Sequence, residues 1–196
     1  MRIGVLGGTF DPVHRGHLHL ARQAQRKLSL DRVFFIPAYL PPHKEEKRHE
    51  ISPAADRLAM LRQALAQDSS FKISLLELRK KRKVYTVETL ARLRRRFPRK
   101  TEFFLLTGAD NLEILDHWKD LKRIFSLCRF VVAARPGFQK RSAPGEILWL
   151  AMPPCRISST AIRRRVREGQ KVSHLLPPGI AALIRKRKLY QPKESS

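Results

Sequence analysis

Short apolar runs alternate with amphipathic stretches along nearly the whole chain, and this alternation limits the fold more than any other feature. RIGVLG (2–7), RVFFIP (32–37), FKISLLEL (71–78), TEFFLLTG (101–108), RFVVAARPG (129–137) and EILWLAM (146–152) read as strands. Between and after them lie GHLHLARQAQRKL (16–28), SPAADRLAMLRQALAQ (52–67), YTVETLARLRRRF (85–97), ISSTAIRRRVREG (157–169) and PPGIAALIRKRKLY (177–190), read as helices. In the first two, Leu18, Ala21 and Leu28, then Leu58, Leu61 and Leu65, recur at helical spacing. Residues 109–127 read as helical turns broken near His117, and the proline- and charge-rich residues 38–50 as a loop. Ser52 and Thr86 are candidate N-caps, Pro53 suits a first turn, and Gly169 closes the helix it follows. Apolar strands separated by amphipathic helices imply a doubly wound α/β fold, a mainly parallel sheet with helices on both faces. No repeat or linker divides the chain. Residues 1–190 are therefore expected to form one domain, followed by a polar tail over 191–196.

In sheets of this kind ligands bind beyond the carboxyl ends of the strands. The unusual residues lie at those ends. Gly7-Gly8 and three histidines follow the first strand, PAYLPPHK the second, GAD the run FFLLT, and RPG the run FVVAA. Neither G-x-G-x-x-G after the first strand nor G-x-x-x-x-G-K-[ST] anywhere is present. Gly7-Gly8 nevertheless lets backbone amides approach a ligand closely. The helix beginning near Gly16 aims its free N–H groups and positive dipole end at the same place. A phosphate there would meet amides, dipole, His14 and His17 together. A zinc site on His14-x-x-His17-x-His19 is the rival, but no cysteine or third-ligand motif lies nearby. His17 and His19 also project about 200° apart at ~100° per residue. His19 is read as a surface or packing residue, and no metal site is assigned.

The start of ISSTAIRRRVREG offers the hydroxyls of Ser158, Ser159 and Thr160, followed by Arg163 to Arg165. Cations near a helix N-terminus oppose its dipole, and a bound anion removes that conflict. Position suits Arg163 to this task, while Arg164 and Arg165 read as solvated.

The chain carries 41 Lys and Arg against 17 Asp and Glu, a net charge of +24. Nucleic acid, nucleotides and acidic membrane surfaces are all attracted by such a charge. The competing reading is a solvated cationic surface, because the basic residues are spread through RKKRK (79–83), RLRRRFPRK (92–100), RRRVR (163–167) and RKRK (185–188). Cys128 and Cys155 stand far apart, which argues against a disulfide scaffold and fits a reducing compartment. The N-terminus lacks the apolar region of a signal peptide, and no apolar run approaches the ~20 residues of a membrane span. A cytoplasmic protein with no membrane partner is expected.

GGTFDPVHRGH (7–17) together with ISSTAIR (157–163) resembles the nucleotidyltransferases that carry a (T/H)-x-G-H motif, here His14-Arg15-Gly16-His17. PAYLPPHK (37–44), YTVETL (85–90), GAD (108–110) with Trp118, RPG (135–137) and an LY ending at Tyr190 occur in the order of one branch, the bacterial nicotinate-nucleotide adenylyltransferases. The ordered set spans nearly the whole chain. The resemblance implies a Rossmann-like nucleotidyltransferase fold. It implies adenylyl transfer from ATP to nicotinate mononucleotide, giving deamido-NAD and pyrophosphate without a covalent enzyme intermediate. Mg²⁺ would be carried by the ATP phosphates.

Transferred position by position, the resemblance sets Gly7, Gly8, Thr9 and Phe10 around the phosphates. It gives His14, His17 and Arg163 the catalytic charge stabilisation, with Ser158 and Thr160 also on ATP phosphates. Gly108 and Asp110 would meet the adenosine ribose. Lys44, Thr86 and Trp118 would bind the acceptor, although Lys44 also reads as a solvated loop lysine and Trp118 as a core residue. Asp11 either orients a histidine or closes the turn. Two departures touch the acceptor side: Glu88 stands where the family has Asp, and Lys119 where an aromatic is common. The alternatives are the same chemistry on nicotinamide mononucleotide or phosphopantetheine and, from another class, a nucleic-acid-binding protein on a nucleotide scaffold. Nucleic acid is otherwise expected only as a non-specific partner.

Overall fold

In the computed structural model, which describes residues 1–41, 51–134, 143–153 and 155–191, six strands form one parallel sheet. They are β1 (Arg2–Gly8), β2 (Arg32–Pro37), β3 (Phe71–Ile73), β4 (Glu102–Gly108), β5 (Arg129–Ala134) and β6 (Ile147–Ala151). Their order is β3-β2-β1-β4-β5-β6, and every pairing is parallel. The connecting helices are α1 (Arg15–Lys27), α2 (Ala54–Leu65), α3 (Thr86–Arg96), α4 (Leu121–Leu127), α5 (Ser159–Arg167) and α6 (Ile180–Lys186). This is the doubly wound α/β sheet that the alternation predicts.

Each central strand is buried on both faces, so side chains of opposite parity feed two cores. Leu6, Phe104, Leu106 and Val131 pack with apolar residues of α1, α2, α5 and α6. Ile3, Val5, Phe103, Leu105 and Phe130 pack with Val87, Leu90 and Leu93 of α3 and Ile124 of α4. No helix among the described residues is long and apolar enough to cross a membrane.

The local expectations need four corrections. The run 71–78 stops being a strand at Ile73. Leu76 turns into the second core and a 3-10 turn begins at Leu78, so its apolar residues cover the sheet rather than extend it. Ser52 does not cap α2: Pro53 holds the N-cap position, and the Ser52 N–H donates to Asp11. Thr86 is the first residue of α3, not its cap. Tyr85 is the N-cap, and its N–H donates to the Glu88 carboxylate at 3.2 Å. Glu88 thus serves the helix start, where an acid suits the dipole. The last helix ends at Lys186, and Lys188 and Tyr190 adopt left-handed backbone at φ 50° and 64°.

Other signals are met as read. The Ser158 hydroxyl caps α5, accepting from the Ala161 N–H at 3.2 Å, and Gly169 follows at φ 68°. Residues 109–112 and 115–117 form 3-10 turns before α4 begins behind Asp120. RPG (135–137), Lys44 and residues 192–196 of the tail lie outside the described residues.

Gly4, in the central strand β1, has a packing reason to be glycine. A Cβ there would stand 3.0–3.2 Å from Leu30, Val33 and Leu106. Overpacking a site this tight costs about 1–3 kcal/mol. Gly4→Val is therefore expected to lower the unfolding free energy by that amount in a urea titration, and an unchanged midpoint would show that β1 has slack the packing does not reveal.

Candidate active site

The site begins where two adjacent strands part. β1 and β4 pair from Arg2 and Glu102 as far as Val5 and Leu105. Beyond that, β1 continues with β2 to Gly8 and β4 continues with β5 to Gly108. Their carboxyl ends open a cleft of about 520 Å³ at the switch point of the sheet. Ligand sites commonly occupy ~300–1,000 Å³ and favour such switch points.

Every described residue expected at the site lines this cleft. Gly7, Gly8, Thr9 and Phe10 come from the end of β1, and His14 and His17 from the start of α1. Gly108 and Asp110 follow β4, Ser158, Thr160 and Arg163 start α5, and Thr86 and Trp118 form the far wall. Arg164, Arg165 and His19 are not among the lining residues. Trp118 is half-buried and also packs edge-on to Phe130, with ring centroids 5.8 Å apart. Lys119 lies over the Tyr85 ring, 4.8 Å from its centroid, so the cation keeps an aromatic partner on this wall.

The glycines leave room for distinct neighbours. A Cβ on Gly7 would point into open space, one on Gly8 would touch the Phe10 ring, and one on Gly108 would collide with Asp110 Oδ1. Phe10 itself adopts φ 52°, a costly conformation for a bulky residue. Its ring is buried between Phe35 and His17, at centroid distances of 5.7 and 5.0 Å. Phe10 thus lines the cleft while its ring packs in a T-shaped contact with His17.

The loop from Thr9 to His14 is held from three directions. Arg57 of α2 donates to the Thr9 carbonyl at 2.8 Å. From α5, Arg163 Nη1 donates to the Asp11 carbonyl at 2.8 Å, and Ser159 Oγ to the Pro12 carbonyl at 2.9 Å. The Asp11 carboxylate accepts from the Tyr190 hydroxyl at 2.6 Å and from the Ser52 N–H at 3.0 Å. Of the two roles open to Asp11, it takes the one that closes the turn; both carboxylate oxygens bond away from the histidines. Arg15 holds the start of α1 by donating to the Leu176 carbonyl through Nε, while its N–H donates to Leu175.

The two cleft histidines are stacked, with centroids 3.7 Å apart. His17 Nδ1 accepts the His14 N–H at 3.2 Å, so a neutral His17 carries its proton on Nε2. His14 is buried, and burial lowers its pKa to about 4, which leaves it uncharged at neutral pH. Its ring faces the His17 N–H across the first turn of α1, the other half of a reciprocal capping box. No three His, Cys, Asp or Glu side chains gather as metal ligands would among the described residues.

The sequence reading passed over Arg57 and Glu77. Arg57 lies on the apolar face of α2, with Met60 and Leu61 three and four positions on. A cation inside an apolar stripe was the available signal. Glu77 lines the cleft, accepts the Thr89 hydroxyl at 2.7 Å, and has its pKa pushed up to about 7 by burial. Nothing in its sequence neighbourhood distinguishes it from a surface acid.

The depressed His14 pKa has a consequence for stability. Between pH 6.5 and about 4 the unfolded chain takes up a proton at this residue that the folded chain refuses. Stability present above pH 6.5 is therefore lost as pH falls through that window, by on the order of 3 kcal/mol in full. In His14→Asn, unfolding free energy plotted against pH is expected to flatten over this range. Parallel profiles for the two proteins would mean that His14 titrates like a solvated histidine.

The cytidylyltransferase-like family model matches residues 5–165. A relative from Thermus thermophilus named "Probable nicotinate-nucleotide adenylyltransferase" is 44% identical over 191 residues, covering 97% of this chain and 100% of its own. One of the same name from Dehalococcoides mccartyi is 40% identical over 200 residues, covering 97% of each. Among solved structures, Plasmodium falciparum nicotinic acid mononucleotide adenylyltransferase complexed with NaAD superposes with a TM-score of 0.78 at 18% identity, over 96% of this chain and 97% of its own. That likeness concerns the fold. With one family model over most of its length and relatives this similar from end to end, the chain belongs to the cytidylyltransferase-like family and, within it, to the nicotinate-nucleotide adenylyltransferases, which are nucleotidyltransferases.

Proposed function

We propose that this protein transfers the adenylyl group of ATP to nicotinate mononucleotide, releasing pyrophosphate and forming deamido-NAD. The observation that carries the reading is the convergence of the starts of α1 and α5 on one cleft, opposite the wall formed by Thr86 and Trp118. Helix N-termini favour anions. The family supplies the rest: the curated relatives bear the name of this activity, and the Plasmodium falciparum protein was solved with NaAD and with APC.

An acceptor phosphate is already ionised at neutral pH, so it can attack the α-phosphorus in line without a general base. The new P–O bond forms as the bond to pyrophosphate breaks. What remains for the protein is positioning and charge stabilisation. His17 offers Nε2–H as a donor. His14 is uncharged, so its part is a neutral hydrogen bond from a fixed ring, and Arg163 supplies the cation. Ser158 and Thr160 add hydroxyls, Gly7, Gly8, Thr9 and Phe10 the backbone around the phosphates, and Gly108 and Asp110 the ribose contacts. Thr86 and Trp118 take the nicotinate end, and Lys44 is assigned to the acceptor by the resemblance alone.

Mg²⁺ is proposed to arrive on the triphosphate and to neutralise its charge. The three carboxylates of the cleft fit that arrangement: Asp11 is occupied by Tyr190 and Ser52, Glu77 is buried beside Thr89, and Asp110 is assigned to the ribose. Phosphate oxygens and water are thus the available ligands. A cytoplasmic location fits the two free cysteines. Nucleic acid is a non-specific partner, attracted by cations spread over many segments.

Pyrophosphate release from ATP, Mg²⁺ and nicotinate mononucleotide tests the proposal directly. kcat/KM is expected to be higher for this acceptor than for nicotinamide mononucleotide or phosphopantetheine. No turnover by folded protein sinks the reading, and a preference for another acceptor reassigns it. His17→Ala is expected to lower kcat by roughly 10²–10³-fold, the usual loss for a donor to a developing charge. An unchanged kcat removes His17 from transition-state stabilisation.

A further inference from the structure

Two basic runs stand apart in the sequence, RKKRK (79–83) and RLRRRFPRK (92–100), and adenylyl transfer uses neither. The fold brings them together at one groove. This second cavity, of about 630 Å³, lies between the segment that follows β3 and the C-terminal half of α3, and it shares no lining residue with the cleft. Arg79 and Lys80, in the 3-10 turn that begins at Leu78, form one wall. Arg92, Arg95 and Arg96 form the other. Their i, i+3, i+4 spacing puts all three on one face of the helix. Arg94, on another face, donates to the Leu127 and Thr101 carbonyls instead.

Five cations thus line one concavity, and no aspartate or glutamate does. Elsewhere this chain settles its cations: Arg82, in the first run, pairs with Glu88, and Arg94, in the second, takes two carbonyls. Among the described residues none of the five groove side chains makes a hydrogen bond or an ion pair. Arg92 feels the Glu77 and Glu88 carboxylates but pairs with neither. The dipole of α3 accounts for Arg95 and Arg96 near its C-terminus, but not for Arg79 and Lys80 meeting them. Like charges a turn apart on a helix repel, and so do charges that share a groove. A polyanion lying in the groove removes that repulsion.

The floor narrows the choice of polyanion. Phe34, Ile73 and Leu75 line it and are half-buried. A bare phosphate chain sets nothing against apolar side chains, and a duplex keeps its bases stacked inside. A single strand presents phosphates and the faces of unpaired bases together. We propose that this groove binds single-stranded nucleic acid, with its five cations on the phosphates and Phe34, Ile73 and Leu75 against the bases. Such contacts carry no sequence code, so the strand is recognised rather than its sequence. The site goes beyond a diffuse attraction to a basic surface, and it does not rest on the adenylyl-transfer reading.

The test titrates the folded full chain into fluorescein-labelled oligo(dT) of about twelve nucleotides and follows anisotropy at rising salt. At about 0.7 per neutralised phosphate, five contacts give a slope of log Kd against log salt of about 3.5, a loss of roughly 100-fold in affinity between about 50 and 200 mM. Arg79→Ser with Lys80→Ser removes one wall, and Arg95→Ser with Arg96→Ser part of the other. Each pair is expected to weaken binding roughly ten-fold at about 0.15 M salt and to lower the slope by about 1.4. Two control pairs remove the same charge elsewhere, Arg164→Ser with Arg167→Ser and Arg185→Ser with Lys186→Ser, and are expected to change Kd by less than about two-fold. All eight side chains but that of Arg164, which pairs with Glu168, are without an ion pair among the described residues, and all eight residues are exposed, so each variant should keep the circular dichroism of the wild type. Equal weakening by all four pairs overturns the proposal in favour of diffuse attraction. Weakening by one groove pair alone overturns the two-walled site. No binding by the wild type at about 0.15 M salt overturns it outright. A duplex of the same length, or tripolyphosphate, that competes equally phosphate for phosphate overturns the assignment to a single strand.

Discussion

The site depends on one buried guanidinium. Arg57 is 1% exposed, and it donates to the carbonyls of Thr9, Ala38, Tyr39 and Ser52. Those four carbonyls follow β1, follow β2 and precede α2. One planar, five-donor group thus fixes the relative positions of two loops and a helix. Burial works against its charge, and the Asp11 carboxylate is the largest influence in its favour. Asp11 is secured in turn by Tyr190, which lies near the end of the described chain. A buried ion with its partners in place is tolerated, whereas removing one partner strands a charge at a cost of about 3–5 kcal/mol. The arrangement is thus cooperative, linking the start of the chain, its second helix and its C-terminal segment.

Rigidity of this kind is what charge stabilisation requires. Donors that are already fixed need no reorganisation when charge develops, and they are stronger inside a partly dry cleft than in water. The loop from Thr9 to His14 meets this condition because the carbonyls of Thr9, Asp11 and Pro12 are held by Arg57, Arg163 and Ser159. Phe10, held in left-handed backbone against His17, belongs to the same arrangement.

The large cationic excess is accommodated by a similar device. Carboxylates are too few to pair with most of the arginines and lysines, and among the described residues the cations that do form ion pairs, such as Arg2, Arg82 and Arg129, are exposed. Exposed pairs contribute only ~0–1 kcal/mol. Several cations instead hydrogen-bond to backbone carbonyls at the ends of elements. Arg94 donates to Leu127 and Thr101, Arg15 to Leu176, and Lys27 to Ala151. Carbonyls at helix C-termini and in loops lack partners of their own, so these cations satisfy groups that would otherwise need water.

Much of this was legible in the residues. Strand and helix periods identified the parallel doubly wound sheet, because side-chain parity in a strand and angular spacing in a helix are local properties of the chain. The glycines, the HxGH segment and ISSTAIR announced the phosphate end, since a residue's chemical type and its position after a strand are both local. The end of the strand at Ile73, the true caps of α2 and α3, the burial of Arg57 and Glu77, and the neutrality of His14 were not legible. The α3 cap is a local pair, Tyr85 with Glu88, that displaces the equally plausible Thr86. The others depend on neighbours distant in sequence: a pKa on the atoms that exclude water, and the Ser52 N–H on the Asp11 carboxylate that the chain delivers to it. By itself the sequence determined the fold class, the family and the residue types at the cleft. Tertiary structure alone decided which of them carry charge and which merely hold others in place, because burial and contact exist only once the chain has closed on itself.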